Sequence, residues 1–309
     1  MSRGGRYSLH GVVVCSEIPI DEPSINTEHA DLEVHVTSSR MPALGSPTDN
    51  LVAELVMFGK RWYSVYDARD GLLVVFPGLA EFFIDQINST IECRPDPDTD
   101  PRALGLLLSG TVLSIYMSAR GQCVLHASAV EVDDRAVVFA GLSGMGKSTC
   151  AALACAIGAP LVTDDVLVVD PEGGPVCRRG TSSIRLRRSA SSIVEMFSSS
   201  PETSVTFDDR IAITPVRAAE TMQLAGIVIP RPSHERSNLL VEQRKPSRAV
   251  GDLLTFLRIP GWRRSDVVAN QFRQVTAIAN EVPVLLATIP WGPPFSLEPM
   301  KELLDRVTS

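Results

Sequence analysis

The chain has 309 residues, of which 44% are hydrophobic, and this is enough apolar sequence for one large domain or two smaller ones. A formal net charge of −7 excludes a general attraction to nucleic acid or to an anionic membrane, so any anion site has to be local. Because the 6 cysteines form no Cys-x-x-Cys pair, no histidine stands at zinc-ligand spacing and no signal peptide is evident, we expect reduced thiols in a cytoplasmic protein.

The first hundred residues have the pattern of a small β-rich region. Short apolar runs alternate there with turns rich in proline and aspartate, and the clearest runs are residues 11–15, 32–37 and 72–76. The proline-rich run 94–101 then interrupts regular structure. We therefore predict a boundary near residue 100, between a β-rich region (1–100) and a larger domain (101–309).

The uncharged run 103–119 is the one stretch that resembles a membrane span. It is short for a span, and serine, glycine and threonine interrupt it. We therefore predict a buried core helix that ends near Gly121, and no membrane partner.

Next come two predicted strands and a glycine-rich loop. Residues 123–132 and 135–140 read as strands joined by a turn at Asp133-Asp134, and residues 146–157 read as an alanine-rich helix that stops at Gly158. Between the second strand and the helix lies Gly-Leu-Ser-Gly-Met-Gly-Lys-Ser, residues 141–148, which fits the Walker A template Gly-x-x-x-x-Gly-Lys-Ser/Thr.

This loop predicts a site for ATP and Mg²⁺. Successive backbone N–H groups and the positive end of the helix dipole would face the phosphates, Lys147 would reach the outer phosphates, and the hydroxyl of Ser148 would bind the metal. The residues predicted to bind the nucleotide are Gly141, Ser143, Gly144, Met145, Gly146, Lys147, Ser148 and Thr149. A glycine-rich turn that binds no nucleotide is the alternative.

His126 becomes a catalytic candidate through the register of this hairpin. If Asp133-Asp134 is the turn, His126 lies opposite Gly141, the first glycine of the loop, about 5 Å across the ladder. A single histidine in a strand is more often structural, but this neighbour favours a catalytic role.

Asp164 and Asp165 stand in a predicted apolar strand, 161–169. Two adjacent carboxylates are costly there unless a cation compensates them, and bound Mg²⁺ would do so. Because adjacent strand residues point to opposite faces, the two cannot share one task unless the strand ends there. We assign proton acceptance to Asp164, aided by His126, and metal binding to Asp165 with Ser148; the opposite division stays open, and so does a solvated turn without function.

Five arginines follow between residues 177 and 188, and this cluster could bind phosphate or an acidic substrate. Arg185 and Arg187 are the candidates, because they alternate with apolar residues and would share one face of a strand. A solvated strand pair is the alternative. The serine-rich segment 189–204 is predicted to be a mobile loop. The remaining predicted elements are strands at 224–229 and 282–288 and helices at 250–257, 266–279 and 297–307.

Three separated motifs resemble the catalytic domain of the HPr kinase/phosphorylase family: His126-Ala-Ser-Ala, the loop 141–148, and Thr163-Asp-Asp-Val. The resemblance implies an α/β P-loop domain, a mixed sheet with helices, with a nucleotide site similar to that of phosphoenolpyruvate carboxykinase. It also implies that His126 and one aspartate assist proton transfer from a serine hydroxyl, while Lys147 and Mg²⁺ hold the phosphates. Related kinases often assemble, so a homo-oligomer is possible.

The sequence departs from that family at several points. Thr149 stands where HPr kinases have Glu, Ala127 stands where they have Gly, and their downstream Arg-Gly-x-x-x-Asn-Leu-Ala segment has only a faint echo at 236–242. The forms present look more like the small HPr-kinase-like proteins of bacterial peptide-modification clusters, some of which resemble kinases of lasso-peptide precursors. We therefore expect a kinase for a serine-type hydroxyl of a peptide or small protein. A kinase for a small-molecule alcohol and a non-catalytic nucleotide-binding regulator are the alternatives.

Overall fold

The computed structural model describes residues 4–39, 50–57 and 59–309. The chain divides into two compact units. The first comprises Met1–Gln122 and Arg258–Gln271, and the second comprises Cys123–Leu257 and Phe272–Ser309. The mixed α/β class predicted from the sequence is confirmed.

The first unit is built on one sheet of eight strands in the order β1-β2-β3-β8-β7-β6-β5-β4. Its strands are β1 (Gly5–Leu9), β2 (Val12–Ser16), β3 (Leu32–Val36), β4 (Leu51–Met57), β5 (Lys60–Ala68), β6 (Gly71–Phe76), β7 (Ala80–Asp85) and β8 (Thr90–Pro95). Three of them, β2, β3 and β6, confirm the predicted apolar runs. Alternate residues of β7 are buried, as expected for a strand with one face on a core.

The helical stretch Pro101–Ala119 also belongs to this unit. It consists of α1 (Pro101–Leu107), a π-helical turn (Leu108–Val112) and α2 (Leu113–Ala119). A Cβ on Gly105 would lie 2.2 Å from the carbonyl oxygen of Pro19, so only glycine permits this close approach. By length and composition this is the one helix among the described residues that could cross a membrane, but it is mostly buried, as the core-helix interpretation predicts.

The division between the units therefore differs from the boundary predicted near residue 100. The proline-rich run is not a free linker, because the backbone N–H of Asp96 and the hydroxyl of Thr99 both donate to the carbonyl of Leu79. Asp100 then caps α1 by accepting from the backbone N–H of Arg102 at 2.8 Å. The first unit continues to Gln122.

The second unit contains a mixed sheet in the order β12-β10-β11-β18-β14-β13-β9, in which β20 also pairs with β18 and β19 pairs with β20. A separate small sheet has the order β15-β17-β16. The strands are β9 (Cys123–Leu125), β10 (Ala127–Val132), β11 (Arg135–Ala140), β12 (Leu161–Thr163), β13 (Leu167–Asp170), β14 (Val176–Arg178), β15 (Ile184–Leu186), β16 (Glu202–Val205), β17 (Ile211–Thr214), β18 (Thr221–Ser233), β19 (Leu240–Gln243) and β20 (Val284–Pro290). The helices are α3 (Lys147–Ile157), a 3₁₀ helix (Arg188–Met196), α4 (Pro246–Thr255) and α6 (Glu298–Thr308). A further helix, α5 (Ser265–Glu281), begins in the first unit and belongs to the second from Phe272 onward.

The central strand β11 is buried on both faces, which explains its continuous apolar sequence. Val137 and Phe139 pack in one cluster with residues of α3 and α6, whereas Ala136 and Val138 pack in another with residues of α4 and α5. Because β11 leads directly into the glycine-rich loop, this double burial fixes the position from which the loop begins.

The serine-rich segment 189–204, predicted to be a mobile loop, instead contains most of the 3₁₀ helix and the start of β16. Ala190 and Ile193 are three residues apart, so they lie on one face of a 3₁₀ helix, and both are buried in the cluster that includes α3. The prediction was wrong because two apolar residues in a polar segment are a weak pattern for so short a helix.

Candidate functional site

The hairpin β10–β11 has the predicted register. Its pairs run from Ala127 with Ala140 to Val132 with Arg135, so His126 and Gly141 directly flank the end of this ladder. The predicted strand 123–132 is divided at His126, because β9 ends at Leu125 and β10 begins at Ala127. Asp133 and Asp134 both have positive φ, 49° and 58°, as a two-residue hairpin turn requires. The backbone N–H of His126 donates to the carbonyl of Phe256 at 2.7 Å, which holds the residue at the end of the strand.

The glycine-rich loop turns through two left-handed residues, Gly144 (φ 88°) and Gly146 (φ 87°). Lys147 is the first residue of α3 and is 5% exposed. Its Nζ donates to the carbonyl of Leu142 at 3.0 Å, across the loop. The N-terminal turn of α3 thus directly follows the two left-handed glycines of the loop.

The other predicted nucleotide-binding residues lie on the same loop. The backbone N–H of Leu142 donates to the sulfur of Met145 at 3.1 Å, and Gly141 is buried against that side chain. Ser143 is exposed, while Ser148 and Thr149, at the start of α3, are half-buried.

The predicted strand 161–169 is interrupted at the two aspartates. β12 ends at Thr163 and β13 begins at Leu167, and Asp165 has a left-handed φ of 71°. The Thr163 hydroxyl donates to the carbonyl of Val166 at 2.7 Å and so closes the turn. The prediction of one continuous strand was wrong, because side-chain capping and an aspartate that tolerates positive φ override the apolar pattern.

Asp164 is buried, with 4% of its surface exposed, and both of its oxygens already have donors. Oδ1 accepts from the hydroxyl of Ser128 at 2.6 Å, and Oδ2 accepts from the backbone N–H of Arg185 at 3.1 Å. Asp164 therefore ties β10 to β15. A buried carboxylate held in this way is a structural anchor.

Asp165 is more accessible, with 27% of its side chain exposed. Its Oδ1 lies 3.1 Å from His126 Nε2, and its Oδ2 lies 3.9 Å from the guanidinium of Arg185. That guanidinium also lies 3.9 Å from Asp208, which contacts Arg210 at 2.9 Å. His126, Asp165 and Arg185 are thus brought together at one place.

Arg187 does not join this group, since it follows the last residue of β15 and is exposed. Two residues of the site had no predicted role. Ser128 is two positions from His126, and this spacing was a usable signal because alternate residues share a face of a strand. Asp208 had no such signal, because its approach to Arg185 depends on the long-range pairing of β15 with β17.

Two buried cysteines, Cys150 and Cys155, lie near the charged groups of the loop and the aspartate pair. Burial, assisted by the negative charge of Asp164, raises the pKa of Cys155 to about 12. Burial also raises the pKa of Cys150, although the charge of Lys147 opposes this shift. These thiols are therefore protonated, and we assign them no chemical role.

Within the described part of the chain, no three His, Cys, Asp or Glu side chains are grouped so that they could hold a metal ion. Mg²⁺ in phosphate-transfer sites takes only one or two protein ligands, together with water and phosphate oxygens. The half-buried Ser148 and the partly exposed Asp165 fit that limited role.

No family model matches the sequence, and no curated protein matches it. One matching solved structure is the Hpr(Ser) kinase/phosphatase from Coxiella burnetii, with 14% sequence identity and a TM-score of 0.31. The match covers 59% of this chain and 93% of that chain. A similarity this low does not establish membership of that family or a shared activity.

Proposed function

We propose that the protein is an ATP-dependent, Mg²⁺-requiring kinase that transfers the γ-phosphoryl group to a serine-type hydroxyl of a peptide or small protein. A lasso-peptide or other ribosomal peptide precursor fits this acceptor class. The observation that carries the proposal is the contact between Asp165 and His126, 3.1 Å, because His126 directly precedes the strand whose first pair, Ala127 with Ala140, lies at the start of the glycine-rich loop.

The loop residues would hold the nucleotide. Backbone N–H groups at the start of α3 and the ammonium of Lys147 are suited to the β- and γ-phosphates, and Mg²⁺ would be held by Ser148 and phosphate oxygens. The metal would neutralise charge on the transferred group. Arg185 is placed to stabilise the same charge, since its guanidinium already lies within 3.9 Å of Asp165.

Proton acceptance is better assigned to Asp165 than to Asp164. Asp165 is partly exposed and has a histidine that can orient it, whereas both oxygens of Asp164 are occupied by Ser128 and Arg185. This division differs from our assignment from the sequence, in which Asp164 was the base and Asp165 a metal ligand with Ser148. Asp165 is now the base, and Ser148 remains the protein ligand of Mg²⁺. Asp164 would then act by positioning β15 and, through it, Arg185.

Two alternative functions differ from this proposal, one in the acceptor and the other in whether the protein catalyses a reaction. A small-molecule alcohol kinase would use the same site with a different acceptor. A nucleotide-binding regulator would need neither a base nor a histidine to orient it, so the Asp165–His126 contact argues for catalysis.

The test incubates the protein with γ-labelled ATP and Mg²⁺, either with serine-containing precursor peptides or with free amino acids and sugars. We expect label on the peptide in the wild-type protein and none in Lys147→Ala. Label on a free amino acid or sugar would favour the small-molecule alcohol kinase. Absence of transfer to every acceptor, with ATP still bound, would favour the regulator.

A further inference from the structure

Trp291 lies against the phosphate loop, and its position is set by the end of β20. The strand ends at Pro290, and the backbone N–H of Trp291 donates to the carbonyl of Ser233 at 2.9 Å. A Cβ built on Gly146 would lie 2.5 Å from Cη2 and 2.8 Å from Cζ2 of the indole. The ring therefore packs directly on the last glycine of the loop, where no other residue would fit.

Neighbouring side chains hold the indole in place while part of it remains exposed. Phe295 meets it edge to face, with ring centroids 5.6 Å apart and planes at 81°. Pro232 lies on the same side of the loop, with its Cγ 3.4 Å from the position of a Gly146 Cβ. Trp291 is half-buried. A large aromatic surface beside a phosphate loop is thus both fixed and accessible.

The order of strands places Trp291 and Asp165 on opposite sides of β11. β10 lies on one side of β11, and beyond it β12 leads to Asp165. On the other side of β11 lies the middle of β18, and beyond it β20, which leads to Trp291. Both β18 and β20 run parallel to β11, so Trp291 and the loop lie at the same edge of the sheet.

The strand order also indicates where the nucleoside of a bound nucleotide would lie. If its γ-phosphate faces Asp165, the rest of the molecule extends away from β10, toward β18 and β20. We infer that Trp291, supported by Phe295 and Pro232, is the stacking platform for the nucleobase. The inference rests on the proposed nucleotide site and adds a residue that selects nucleotides over other polyphosphates.

The physical basis is base–aromatic stacking, which every nucleobase can make because each has a π face. Inorganic tripolyphosphate has the phosphates but no base. A side chain that contacts the base should therefore affect ATP binding and leave tripolyphosphate binding unchanged, whereas one that only supports the loop should affect both.

The experiment measures the dissociation constants of ATP and of inorganic tripolyphosphate, each with Mg²⁺, by isothermal titration calorimetry. The variants are Trp291→Ala, Trp291→Phe and, as a control, Trp62→Ala, an exposed tryptophan in the other unit. We expect Trp291→Ala to weaken ATP binding by about tenfold, in the range that stacking contributes. Tripolyphosphate binding should stay at the wild-type level, and Trp291→Phe should retain most of the ATP affinity.

Intrinsic fluorescence gives a second readout that does not depend on the alanine variant. ATP should quench tryptophan emission in the wild-type protein and not in Trp291→Phe, and tripolyphosphate should quench neither. Equal losses of ATP and tripolyphosphate binding in Trp291→Ala, or unchanged ATP binding, would overturn the stacking role while leaving the kinase proposal intact. A wild-type protein that binds neither ligand would overturn both.

Discussion

The contact between Ser128 and Asp164 gives a prediction about stability that separates the two adjacent aspartates. Replacing Ser128 by alanine removes a buried 2.6 Å hydrogen bond to a carboxylate and leaves an oxygen of that carboxylate without its donor. A hydrogen bond to a charged group contributes about 1.5–3 kcal/mol, so we expect a loss of about 2 kcal/mol. In Asp164→Ala, both the Ser128 hydroxyl and the Arg185 amide lose their acceptor, and the expected loss is about 4 kcal/mol.

Hydrogen exchange with mass spectrometry is the assay, because it reports local opening even in a chain with two units. A loss of about 2 kcal/mol corresponds to about 30-fold faster exchange in the peptide that contains β15 when reclosing is fast compared with chemical exchange, so that the rate follows the opening equilibrium. A peptide from β1 and β2, in the other unit, serves as the internal control. Asp165→Asn should accelerate exchange in the β15 peptide by about fivefold or less, since an ion pair that is partly in contact with water contributes about 1 kcal/mol or less.

Unchanged exchange around β15 in Ser128→Ala would contradict this role of Asp164, and so would an acceleration in Asp165→Asn as large as that in Asp164→Ala. Either result would mean that Asp164 does not anchor β15. The double variant Ser128→Ala/Asp164→Ala is a further check. If the two side chains stabilise β15 through one contact, adding Ser128→Ala to Asp164→Ala should lower the stability of β15 little further.

Three further predictions concern the loop and the thiols. Gly146→Ala should abolish ATP binding measured by calorimetry, because φ is 87° and the new Cβ meets Trp291 at 2.5 Å; Gly158→Ala, with φ 116° and no atom within 4 Å, should retain it. Iodoacetamide should label only Cys15 in the folded protein and all 6 cysteines after denaturation, since the other five are buried; rapid labelling of a second folded-state thiol would contradict this. Burial raises the pKa of Cys123 and Cys177 from 9.0 to about 12, so between these pH values only the unfolded chain loses the two protons. Urea unfolding should therefore show that these thiols lower the free energy of unfolding above pH 9 and not below it. A free energy of unfolding that rises above pH 9 would contradict this prediction.

Local sequence patterns were sufficient for the loop and its hairpin. The Asp133-Asp134 turn determines which residues face each other, so the register from Ala127–Ala140 to Val132–Arg135 followed from a few adjacent residues. The left-handed Gly146 and Gly158 likewise mark the two ends of α3, as their positions in the sequence predicted.

The parts that were not predictable depend on residues distant in sequence. The conformation of Asp165 could not be inferred from an apolar run, because it depends on the Thr163 capping bond and on the anchoring of Asp164. Arg185 meets Asp208 only because β15 pairs with β17, and Trp291 reaches Gly146 only because β20 runs beside β18. Neither of these two contacts could be inferred from a periodic pattern in the sequence.

Phosphoryl transfer and ATP binding, both measured in Asp165→Asn, test whether Asp165 is the general base. Asp134→Asn is the matched control, since Asp134 is also an aspartate with positive φ but lies in the distant hairpin turn. With γ-labelled ATP, Mg²⁺ and an accepting peptide in single-turnover conditions, we expect Asp165→Asn to bind ATP normally and to transfer about 100-fold more slowly or worse, as loss of a general base predicts. Transfer by Asp165→Asn at the rate of the wild type and of Asp134→Asn would contradict the account.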